Sequence, residues 1–74
     1  MGYNPPQELL NWLEESEENF LMEVRPLVWQ RSDGDRVRPA WVNTLFDNGH
    51  IKYEPPGERY SEVRATYWEV TENV

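Results

Sequence analysis

Phe20-Leu21-Met22-Glu23-Val24-Arg25 is the stretch on which the fold turns. Phe20, Met22 and Val24 alternate with Leu21, Glu23 and Arg25. A repeat of two residues is that of a β-strand, whose side chains point to opposite faces in turn. Upstream the repeat is different. Leu9, Leu10, Trp12 and Leu13 recur at helical spacing, with Glu8, Asn11, Glu14, Glu15 and Glu18 off their stripe. Asn4-Pro5-Pro6-Gln7 is a helix start, since Asn caps well and Pro is preorganised for the first turn. The expected helix therefore covers about 5–18, ending in an acidic cluster that opposes its own dipole and has no Lys or Arg to offset it. Strands are expected from about residue 19 onward.

The first of them spans 19–31, with a bulge or break at Pro26, because proline cannot donate to a ladder. Ser32-Asp33-Gly34-Asp35 reads as a hairpin turn. A second strand is expected over 36–46. Val37, Pro39, Trp41, Asn43 and Leu45 alternate there with Arg38, Ala40, Val42, Thr44 and Phe46, so both faces carry bulk. Asn48-Gly49 suits a type I′ hairpin turn, followed by a strand over 50–54. Pro55-Pro56-Gly57 forces a loop, and the last strand covers 62–70. The expected fold is α+β: one N-terminal helix and a four-stranded antiparallel β-meander, as an open sheet or a small curled barrel.

At 74 residues the chain has room for a single small domain over 1–74. Such a domain buries only about 60% of the surface its unfolded form exposes. With no cysteine, apolar packing must supply the stability. Its 38% hydrophobic residues, including four Trp and four Tyr, suffice for a folded chain. The first residues carry neither a basic n-region nor an apolar stretch, and Pro6 stands where a myristoylation signal wants Ser or Thr. No apolar run approaches the roughly 20 residues that span a bilayer. Together with the absent cysteines, this points to a cytoplasmic protein without membrane contact.

Catalytic chemistry finds little to work with. One histidine, His50, and no cysteine leave no triad or dyad, and Ser16, Ser32 and Ser61 sit in no nucleophile elbow. Asp33-Gly34-Asp35 lacks the other oxygens of a calcium loop, and the glycines are too scattered to cradle a phosphate. The expectation is a non-catalytic protein with no metal and no cofactor.

Charge is distributed more tellingly. Seven bases against fourteen acids give a net charge of −7, which opposes nucleic-acid binding. The first 24 residues contain Glu8, Glu14, Glu15, Glu17, Glu18 and Glu23 and no base. Closely spaced carboxylates of this kind suit a basic groove on a larger protein. The expected function is that of an acidic protein-binding module that docks on a basic or nucleic-acid-binding protein and modulates it, most simply by inhibition. Small size, acidity and Trp content resemble those of phage or mobile-element effectors. The expected partner-binding residues are Glu14, Glu15, Glu17, Glu18, Glu23, Trp29, Trp41 and Trp68. Two alternatives use the aromatic strands: a structural subunit or homodimer joined through an aromatic sheet face, and single-strand nucleic-acid binding beside Arg36, Arg38 and Arg64.

Overall fold

The structure, a computed structural model, describes residues 4–54 and 60–66. Along the chain these residues form α1 (Pro5–Glu15), β1 (Leu21–Arg25), β2 (Val28–Arg31), β3 (Arg36–Val37), α2 (Pro39–Asp47), β4 (Ile51–Glu54) and β5 (Glu62–Ala65). The fold is α+β with an open sheet in the order β3-β2-β1-β5-β4, every neighbouring pair antiparallel. This differs from a plain meander, because β5 inserts between β1 and β4.

The start of α1 is built as its residues require. Asn4 Oδ1 accepts from the Gln7 amide at 3.4 Å, and proline occupies the first turn. The helix stops at Glu15 rather than near residue 18, with Ser16 already extended. Its last turn has no basic residue to meet the free carbonyls. Asn19 does so instead, donating from Nδ2 to the Trp12 carbonyl at 2.7 Å.

Between residues 19 and 31 the chain reverses at Pro26-Leu27, so one expected strand is two, with Arg25 opposite Val28. Proline's ring holds φ at about −65°, and Leu27 takes the left-handed φ of 65°. That is the φ pattern of a type II turn, whose second position favours glycine. The β1–β2 register also slips between Glu23 and Arg25, leaving Val24 as the extra residue of a bulge.

The main correction concerns 36–46. Only Arg36–Val37 is strand, and Pro39–Asp47 is helix. Pro39 cannot join a ladder but suits a helical first turn. Val42, Leu45 and Phe46 stand at helical spacing, and the first two are buried. Bulk on both strand faces was the mark of this second period. Asn48-Gly49 is accordingly not a hairpin turn. Asn48 is the C-cap and Gly49, at φ 74°, follows it. The Gly49 amide donates to the Phe46 carbonyl and the His50 amide to that of Leu45, each at 3.0 Å. These two bonds are a Schellman motif, and its left-handed position explains the glycine. Residues 67–70 of the expected last strand lie outside the described residues.

The core joins one sheet face to both helices. Leu21, Trp29, Val37, Ile51, Val63 and Ala65 form one cluster with Leu9, Leu10 and Leu13 of α1 and Val42 and Leu45 of α2. Trp29, Phe46 and Tyr53 pack in a triangle with ring centroids 5.3 to 6.5 Å apart.

The β2–β3 turn is organised by Asp33. Its carboxylate pairs with Arg31 and accepts from the Asp35 amide at 3.1 Å. The Arg31 hydrogen bond, followed by that from Asp35, holds the Asp33 pKa below its ordinary 3.8. Since the folded value is the lower one, the stabilisation is present above the ordinary value and is lost as pH falls through the lowered one. A carboxyl titration by NMR is expected to place the Asp33 midpoint below 3.8, and Arg31→Ala to raise it part of the way back, since the Asp35 amide bond remains.

Candidate functional site

Four of the expected partner-binding residues come together at the end of α1. Glu14 is half-buried, whereas Glu15, Glu17 and Glu18 are exposed. Local hydrogen bonds give this acidic turn a defined shape. Ser16 Oγ accepts from the Glu18 amide at 3.1 Å, and the Asn19 amide donates to the Ser16 carbonyl at 3.1 Å. From β5, Arg64 donates to the Glu17 carbonyl and lies over the Phe20 ring at 5.2 Å.

Among the described residues, two bases reach this end of the molecule, and each is engaged by other carboxylates. Arg64 pairs with Glu62. Arg31 stacks on the Trp12 ring at 4.1 Å and pairs with Asp33. Among the described residues, Glu14, Glu15, Glu17 and Glu18 form no ion pair. Their negative potential is therefore offered outward.

The remaining expected residues are placed elsewhere. Glu23 is only 3% exposed, on the sheet face under the helices, and its Oε2 accepts from the Leu27 amide at 2.9 Å. It does not belong to the acidic surface. Alternation had already put Glu23 beside Leu21, but which face is covered depends on the helices. Trp29, 5% exposed, sits opposite Glu23 and Val37 and is a core residue rather than a contact. Trp41 is half-buried on α2. Trp68 lies outside the described residues.

Trp41 stands between two grooves that sequence reasoning missed. One, of about 460 Å³, runs between α1 and β3 and includes Pro5, Glu8, Arg31 and Asp35. The other, of about 400 Å³, runs from Trp41 and Pro39 past Arg36 and Arg38 to Leu27 and Val28. Leu27 is 67% exposed. A leucine directly after a proline, in a turn position that favours glycine, was the one signal for it.

Among the described residues, no group of three or more His, Cys, Asp or Glu is placed to hold a metal ion. His50 is exposed beside the Schellman turn. No helix among the described residues is long and apolar enough to cross a membrane. Compared with protein-family models, curated proteins and solved structures, this chain matches none.

Proposed function

We propose that this is a small acidic, non-catalytic binding module that docks its α1 end on the basic surface of a larger protein and modulates it. The observation that carries the reading is the acidic turn: four glutamates in a hydrogen-bonded frame, with no ion pair among the described residues, next to bases that serve other carboxylates. Such a surface raises the encounter rate with a cationic partner and loses strength in salt. Occupying a basic groove also blocks whatever that groove binds, so inhibition is the simplest consequence. A chain with no cysteine suits the reducing cytoplasm, where we place it.

The second surface reading, an aromatic sheet face, is less well supported. Trp29 and Tyr53, the described sheet aromatics of the triangle, pack with Phe46 of α2.

The test replaces Glu14, Glu15, Glu17 and Glu18 together by Gln. At roughly 0.5 kcal/mol per exposed pair, the variant is expected to bind its partner about 30-fold more weakly. Its thermal midpoint should hold or rise, because two of the four oppose the α1 dipole. Affinity capture at low and high salt, with the captured protein identified by mass spectrometry, supplies the readout. A basic protein held by wild type at low salt and lost by the variant supports the reading. Equal capture by wild type and variant, or an acidic captured protein, refutes it.

A further inference from the structure

The acidic turn precedes β1, and the Pro26-Leu27 turn follows it. The four residue steps of β1 separate these ends by about 13 Å. The far end has the opposite character. Arg25, Arg36 and Arg38 are exposed there, and among the described residues none of them pairs with a carboxylate. Leu27 and the bulged Val24, 67% and 48% exposed, are two of the most exposed large apolar side chains. The chain holds Leu27 outward in a backbone conformation that disfavours every residue with a Cβ, secured by a buried carboxylate on its amide.

We propose that the Pro26-Leu27 turn and the groove leading from it to Trp41 form a second docking surface, which takes an extended acidic segment bearing apolar side chains from a partner protein. This surface lies at the other end of β1 from the acidic turn and does not depend on it. Arg36 and Arg38 flank a wall made of Leu27, Val28, Pro39 and Trp41. Carboxylates satisfy the guanidinium groups and an aliphatic or aromatic side chain covers the wall. Among the described residues Arg36–Val37 is the last strand of the sheet on this side, and no described strand pairs with the outer side of β3, which suits the main chain of an extended segment.

Other occupants fit less well. A second copy offers the carboxylates of its acidic turn, but the aromatic side chains beside them are themselves half-buried under guanidinium groups, Trp12 under Arg31 and Phe20 under Arg64. A nucleic acid offers phosphates, but the net charge of −7 repels it and an aliphatic wall gives its sugars and phosphates nothing.

Binding is to be followed by NMR amide shifts of the full chain, with the peptide Asp-Leu-Asp-Leu-Asp-Leu-Asp as probe. A Lys-Leu counterpart, a short oligothymidylate and the protein's own concentration series are the competing arms. The acidic peptide is expected to shift Leu27, Val28 and residues 36–41, with an effect that falls in salt. Arg36→Ala with Arg38→Ala should weaken binding about tenfold or more. Leu27→Gly should weaken it similarly while raising the melting temperature, because glycine adopts the left-handed φ freely. That opposite movement separates lost contact from lost folding. The Gln variant of the acidic turn should bind the peptide as well as wild type or better, which keeps the two surfaces distinguishable. No shift with millimolar acidic peptide, equal binding of the Lys-Leu peptide, or these same residues shifting with oligothymidylate or with self-association would overturn the proposal.

Discussion

Trp29→Ala is expected to remove between about a quarter and all of the protein's net stability at room temperature. Trp29 is 5% exposed and ties β2 to α2 through Phe46, at a centroid distance of 6.2 Å, and to β4 across the sheet through Tyr53, at 6.5 Å. Removing so large a buried side chain costs about 3 to 5 kcal/mol, as lost transfer energy plus the cavity left behind. At roughly 0.05 to 0.15 kcal/mol per residue, a chain of 74 residues has only about 4 to 11 kcal/mol of net stability. Trp41→Ala makes the control, since Trp41 is half-buried beside the core and should cost clearly less. Circular dichroism melts of both variants check the ranking. A cooperative melt of Trp29→Ala near the wild-type midpoint would remove Trp29 from the core.

Glu23→Ala carries the second large effect, about 1 to 3 kcal/mol. The Glu23 carboxylate is 3% exposed and accepts from the Leu27 amide, in the turn where the backbone is least comfortable. Alanine leaves that amide without its acceptor, so the left-handed turn loses its restraint. Glu23→Gln retains a carbonyl oxygen at the same place and should recover much of the loss. Urea unfolding gives the energies, and hydrogen exchange at the Leu27 amide locates the effect. If Gln and Ala destabilise equally and Leu27 exchange is unchanged, the hydrogen bond is not what holds the turn.

Both predictions concern residues whose roles the sequence shows only in part. Local rules act within a few residues, and where they agreed the chain was legible. Asn4, the two prolines and the Leu9, Leu10, Leu13 stripe specify α1 because cap, first turn and apolar face all point to one helix. Alternation at 20–25 likewise specifies β1. From Arg36 to Phe46 the local rules conflict, since the same apolar residues satisfy a period of two on both faces and a period near 3.6 on one. The choice falls to α2 because Pro39 is at home in a first helical turn and Gly49 closes the last one.

The candidate surfaces divide in the same way. Glu14, Glu15, Glu17 and Glu18 are close in sequence, and a local feature, the end of a helix, exposes the last three and half-exposes the first, so their cluster could be read directly. Glu23 could not be separated from them, because its burial depends on Trp29 across the strand pair and on the helices above. The groove beside Trp41 depends on the β1–β2 turn, β3 and α2 meeting from separate parts of the chain. Short-range sterics, hydrogen bonding and charge sufficed for the α+β class, the first helix, the Asp33-Gly34 turn and an acidic end. The strand order, the burial of Glu23 and Trp29 and the outward Leu27 came from long-range packing. Each of these depends on which distant surfaces exclude water from one another, and no local pattern encodes that.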